Sequence, residues 1–260
     1  MRLDTKKRLF ISVPADFDDD ALQGFFEELK SAIQEQPSEI GLDCSLLEHT
    51  TSRHINALWD ALTKCERAGI PMRLTSVGYG LERVLSVLDL TELFTVEYER
   101  ERHDKAARPP VPDRPPRRFE ATLEARIDVV SDVMAEIHDF LQQLALSDIG
   151  VFDLETVFYE VATNICRHSG LEQHRKISFI AEVDQSEVSF KFTDAGERFD
   201  PTGNTPEFDP RLAIKRRQSR GIGLVMIQRL MDSVSYARVD GRFNVVTLKK
   251  RLTPRAEVVR

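Results

Sequence analysis

The sequence predicts an α/β domain followed by an α+β sandwich, the second an antiparallel or mixed sheet with helices on one face. Three observations lead there. Residues before about 102 alternate short strands with amphipathic helices, the pattern of an open α/β layer. Residues 119–252 instead group helices with two hairpins, the pattern of an antiparallel sheet covered on one side. Between them, 103–118 carries Pro109, Pro110, Pro112, Pro115 and Pro116. Prolines at that density exclude helix and central strand, so this stretch reads as a stiff, extended linker. Residues 253–260 follow as a tail.

Composition agrees with two soluble domains. The chain has 260 residues, above the ~100–200 typical of one domain. Net charge is −7, whereas nucleic-acid binders carry a basic excess, so direct contact with nucleic acid is not expected. No apolar run approaches the ~18 residues of a membrane span, and the start lacks the apolar core of a signal peptide. Cys44, Cys65 and Cys166 have neither zinc nor disulfide spacing. They read as small buried hydrophobes in a cytoplasmic protein.

The front elements follow in order. Residues 8–13 alternate as a strand that Pro14 ends. An acidic run from Asp16 to Asp20 precedes a helix with Leu22, Phe25, Phe26, Leu29 and Ile33 on one face. Pro37 stops it. Residues 40–45 form a strand, and a helix begins near Ser52, which reads as its N-cap, with Ile55, Leu58, Trp59 and Leu62 inward. Gly69 closes that helix and Pro71 follows. Residues 72–77 are a strand, and Gly78 and Gly80 turn into a helix with Leu81, Val84, Leu85 and Leu88. No glycine-rich phosphate loop, nucleophile triad or metal spacing occurs here, so the domain reads as a binding or switch module.

The back part opens with a predicted helix through Leu123, Ile127, Val130, Met134, Ile137 and Leu141. His138 lies beside its apolar stripe and reads as structural. A second helix spans 153–168, with Asp153 as N-cap. Residues 176–183 and 187–194 form a hairpin about Asp184-Gln185-Ser186. A third helix covers 223–231. Residues 234–239 and 244–249 close a hairpin about Asp240-Gly241.

Three short pieces of this part carry chemistry. Glu160 and Asn164 are four apart on one helix face. A carboxylate and an amide oxygen so placed suit proton transfer and a Mg²⁺ ion that keeps phosphate and water ligands. Asp194 ends a strand before Gly196, so a buried carboxylate could read the exocyclic amine of adenine while the glycine lets a ring approach. Gly221 and Gly223 precede a helix whose free N–H groups favour an anion. The loop 201–220 between them holds Lys215, Arg216, Arg217 and Arg220, a phosphate-binding lid in outline. Each piece taken alone has an ordinary reading: a polar stripe, an Asp-x-Gly turn, a helix start, a solvated charge run.

Together, in this order, the pieces resemble the GHKL ATPase superfamily, in particular its anti-sigma factor serine/threonine kinases. Glu160 and Asn164 match that family's N-box, and His168 falls where it often has histidine. Asp194 and Gly196, with Phe199-Asp200-Pro201, match its first glycine box, and Gly221 and Gly223 its second. Arg198 departs, standing where many relatives have glycine. The front part resembles the STAS domains of anti-sigma factor antagonists through residues 42–55 and 85–94. Ser52 falls at the serine that a partner kinase phosphorylates there, with Thr51, Arg53 and His54 replacing the usual neighbours.

The resemblance implies ATP and Mg²⁺ as cofactors, with Glu160 catalytic, Asn164 holding Mg²⁺, and Asp194, Gly196, Arg198, Arg220, Gly221 and Gly223 binding ATP. It implies phosphate transfer to a serine of a STAS-domain protein or of the chain's own STAS-like domain, at Ser52 in the latter case. A sigma factor as a further partner and a homodimer are also implied. A nucleotide-binding adaptor and an ATPase clamp remain as alternatives. The sixteen-residue linker could span roughly 50 Å at ~3.1 Å per residue.

Overall fold

A computed structural model describes residues 7–15, 18–47, 49–98, 117–144, 146, 148–168, 175–184, 186–198, 200, 202 and 221–252. The chain divides into two compact units. Most of the expected linker, the 203–220 loop with Arg220, and the tail lie outside the described residues.

The N-terminal unit is a four-stranded parallel sheet in the order β1-β2-β3-β4. Its elements are β1 (Arg8–Ser12), α1 (Asp19–Gln34), β2 (Glu39–Asp43), α2 (Ser52–Ala68), β3 (Met72–Val77), α3 (Tyr79–Val87) and β4 (Thr95–Tyr98). Strand β4 was not expected from the sequence. Register aligns Ile11 with Leu42 and Leu42 with Leu74. These three side chains form one buried row, and Phe25, Leu29, Ile55 and Leu58 of the helices are buried too. The neighbouring row, Phe10, Gly41 and Arg73, lies on the opposite face. Phe10 is 63% exposed there.

The caps explain the helix limits. Asp18 starts α1 by accepting from the Ala21 N–H at 2.7 Å, with Asp19 and Asp20 in the first turn. The acidic run therefore does what its position predicts. Gly69 ends α2 at φ +69°, a left-handed conformation that glycine adopts without strain. The start of α2 departs from expectation. Its N-cap is Thr51, not Ser52. The Thr51 hydroxyl faces the His54 N–H at 3.4 Å, and His54 Nδ1 accepts from the Thr51 N–H at 3.1 Å. This reciprocal box needs an acceptor three residues on, and His54 supplies it. Ser52 is the first helical residue.

The C-terminal unit is a five-stranded sheet, antiparallel throughout, in the order β5-β6-β7-β9-β8. Its strands are β5 (Arg117–Glu124), β6 (Lys176–Val183), β7 (Glu187–Asp194), β8 (Ser233–Val239) and β9 (Phe243–Arg251). Its helices are α4 (Ile127–Gln142), α5 (Asp148–His168) and α6 (Ile222–Leu230). Alternate residues of β6 and β7 are buried, as a sheet covered on one face requires. Phe158 of α5 sits 4.8 Å from Phe179 and 5.6 Å from Phe192 between ring centroids, joining helix to sheet.

Three expectations fail here. Strand β5 begins at Arg117, within the segment read as linker, and Leu123 belongs to it rather than to a helix. Leu123 is four residues from Ile127 but also two from Ala121 and four from Phe119, and the period-2 reading wins because β5 pairs along its whole length with β6. Asp153 is not an N-cap. Helix α5 starts at Asp148, and Asp153 is 1% exposed with its carboxylate 3.1 Å from Lys250 Nζ. The Asp240-Gly241 turn holds as expected, with φ of +51° and +62°, the signature of a type I′ hairpin.

Candidate functional site

Glu160 and Asn164 lie one turn apart on α5. Val157, Phe158, Val161 and Ile165 are buried around them and fix the helix. Glu160 itself is 1% exposed, while Asn164 is half-buried. Thr163, next to Asn164, spends its hydroxyl on the helix backbone, donating to the Tyr159 carbonyl at 2.7 Å. The side chain of His168 lies outside the described residues. His138 bridges helices, with Nδ1 2.6 Å from Glu155 Oε1, and is half-exposed.

Asp194 ends β7 on the same face as Phe192. Because Phe192 packs on Phe158, the strand end and helix α5 are neighbours. Asp194 is 4% exposed. Its Oδ1 accepts from the Gly196 N–H at 2.8 Å and from Asn244 Nδ2 at 2.9 Å. Its Oδ2 has no hydrogen-bond partner among the described residues. That oxygen is not sealed in the interior, so it is an acceptor open to a donor from outside the chain.

Sequence reasoning missed the side chain that organises this turn. Asn244 of β9 is 2% exposed. It donates to Asp194 Oδ1 and to the Glu197 carbonyl, each at 2.9 Å. It accepts from Tyr236 Oη at 2.8 Å and Arg238 Nη1 at 2.6 Å. Arg238 Nη1 also donates to the Gly196 carbonyl at 2.9 Å. A signal was present in the sequence: Asn244, Val246 and Leu248 share the buried face of β9, and an amide in an inward apolar alternation needs polar partners.

Gly221 precedes α6 at φ +110°, a conformation that side chains with a Cβ adopt only under strain. Gly223 is buried in the first turn, and Ile222, Val225 and Met226 anchor the helix below it. The helix start thus presents backbone N–H groups of the kind that receive anions. Arg198 is exposed on the turn after Gly196. Arg220 lies outside the described residues.

Among the described residues no group of three His, Cys, Asp or Glu could hold a metal by itself. The donor set fits a nucleotide with its ion: an unpartnered acceptor at Asp194, a glycine-gated helix start, and an amide oxygen at Asn164 beside a carboxylate. The thiols take no part. Burial pushes Cys44 up to about 12, with Asp43 adding to it, and Cys65 and Cys166 up to about 11.

In the N-terminal unit, His54 is 1% exposed. Its Nε2 donates to the Ala15 carbonyl at 3.0 Å and its Nδ1 takes the Thr51 donors. The imidazole thus ties the start of α2 to the loop after β1. Arg53 pairs with Asp19 at the start of α1. Ser52, between Thr51 and Arg53 in sequence, is half-buried.

No helix among the described residues is long and apolar enough to cross a membrane. Comparison with curated proteins returns no match. Among solved structures, a chain of the SiaB-SiaC complex from Pseudomonas aeruginosa is similar at 14% identity and a TM-score of 0.40, covering 52% of this chain and 89% of that one. Two family models match, the STAS domain over residues 3–103 and the histidine kinase-like ATPase domain over residues 123–250. The parallel α/β unit and the antiparallel α+β unit are the folds those matches require, and the chain is therefore a STAS domain followed by a histidine kinase-like ATPase domain.

Proposed function

We propose that the protein is an ATP-dependent serine/threonine kinase of a partner-switching system, acting on a serine of a STAS domain. The observation that carries this reading is the union in one chain of a STAS domain, whose α2 begins at Ser52, with an ATPase domain that buries Glu160 one turn from Asn164.

The residues divide the work as follows. Asp194 accepts the amine of adenine through Oδ2. Gly196 and Gly221 let the nucleotide approach the backbone, and the α6 N-terminus receives phosphate oxygens. Asn164 offers its amide oxygen to Mg²⁺. Glu160 accepts or orients the proton of the attacking serine hydroxyl. Arg198 and Arg220 balance phosphate charge. ATP, when bound with Mg²⁺, supplies the transferable phosphoryl group, and the protein contributes positioning and electrostatics. The target is a STAS-domain protein, or Ser52 of the same or a second copy. A sigma factor as downstream partner, a homodimer and a cytoplasmic setting belong to the same reading.

One observation favours a second reading. His54 stands where relatives have glycine, and its ring is committed to Thr51 and Ala15. That arrangement suits a STAS domain that docks without being phosphorylated, with the ATPase domain as a nucleotide-sensing adaptor.

Intact mass after incubation with Mg-ATP separates them. The kinase reading expects one added phosphate on the chain or on a supplied STAS protein, lost in Glu160→Gln. Loss in Ser52→Ala as well would place the acceptor in this chain. Nucleotide binding with no phosphate moved onto any STAS domain would leave the adaptor; steady phosphate release without a phosphoprotein would leave an ATPase.

A further inference from the structure

We propose that Asn244 is a positioning residue that sets the pocket's choice of a 6-aminopurine over a 6-oxopurine, with Arg238 and Tyr236 holding it for that task. The inference rests on reading the Asp194 pocket as a nucleotide site.

Asn244 lies in register with Asp194 on β7 and with Arg238 on β8. A carboxamide offers two N–H donors and two acceptor lone pairs. Here all four are engaged. Nδ2 donates to Asp194 Oδ1 and the Glu197 carbonyl. Oδ1 accepts from Tyr236 Oη and Arg238 Nη1. The reverse orientation would set oxygen against two acceptors and N–H against the guanidinium. The amide therefore has one stable direction, and it presents a donor to Asp194.

That direction decides what Asp194 can read. Oδ1 is saturated by the Asn244 amide and the Gly196 N–H. Oδ2 is left to act as an acceptor. An exocyclic amine donates to it. A 6-oxo group in the same pose would place oxygen against oxygen, and a site built for a donor discriminates strongly against a group that lacks one. Arg238 extends the support. Its Nη1 holds the Gly196 carbonyl and its Nε donates to the Gly241 carbonyl at 3.2 Å. The β8–β9 turn and the Asp194–Gly196 turn are thereby fixed to each other.

The test is equilibrium binding of ATP and ITP to the full chain, with thermal unfolding alongside. The wild type should favour ATP by ~10-fold or more, from one hydrogen bond gained against one repulsion. Asn244→Asp replaces the donor that faces Asp194 Oδ1 with an acceptor, so the Asp194 carboxyl is no longer held in one direction. The ATP-to-ITP preference should fall to within ~3-fold of unity. Tyr236→Phe removes only one bond to the amide and should lower the preference ~2–5-fold with the fold retained; it decides the matter if Asn244→Asp does not fold. A preference unchanged in the variants, or an equal loss of both nucleotides, would overturn the positioning role while the ATP reading stood. A wild type that bound neither nucleotide would overturn both.

Discussion

Thr51 and Ser52 are adjacent hydroxyl residues with different duties. Thr51 closes the capping box with His54, while Ser52 occupies the first helical position. Thr51→Ala should therefore destabilise the protein by about 1 kcal/mol, the usual cost of a lost N-cap. Ser52→Ala should cost less, and urea unfolding of the two variants side by side checks the order. The distinction bears on function, because a change at Ser52 leaves the Thr51 cap of the helix in place. A phosphate at that position would lie at the N-terminal end of α2, where the helix dipole tolerates negative charge.

At the scale of elements, the β6–β7 hairpin places Asp194 and depends on its turn. Asp184 Oδ1 accepts from the Ser186 N–H at 2.6 Å and the Glu187 N–H at 2.8 Å. Those two N–H groups, then the Ser186 hydroxyl, hold the carboxyl below its ordinary value. A depressed carboxylate contributes stability that is present above its unfolded pKa and lost as pH falls through the folded one. Asp184→Ala should lower the melting temperature at neutral pH. The gap from wild type should close as pH drops through the acid range. A gap that stayed constant to low pH would remove the carboxylate from the explanation. The α6 start follows the same logic of local geometry, since Gly221 holds a φ that its neighbours could not.

At the scale of the molecule, one cation of the ATPase domain links two helices. Lys250 Nζ reaches Asp153 of α5 at 3.1 Å and the Leu230 carbonyl at the end of α6 at 2.7 Å. A single side chain of β9 thus joins both helices that carry the candidate site. Lys250→Met takes the cation from a carboxylate that is 1% exposed and should cost on the order of 3 kcal/mol. Asp153→Asn should cost less, about 1 kcal/mol, because Lys250 is 22% exposed and keeps its carbonyl partner and some water. Chemical denaturation of the full chain distinguishes them, and equal costs would argue against an asymmetric pair.

The sequence by itself determined both fold classes and the order of nearly all helices and strands. It did so because amphipathic periods, caps and turns are local: Asp18, Gly69 and Asp240-Gly241 act within four residues of themselves. It also marked Glu160, Asn164, Asp194, Gly196, Gly221 and Gly223, because glycines and carboxylates at element ends leave a spacing that can be read. Tertiary structure alone decided β5, whose pairing with β6 overrode a helical spacing, and the place of Asp153, whose partner is 97 residues away. It alone decided Asn244. An amide's role depends on what stands across two neighbouring strands, and no local period records which side chains the sheet will place there.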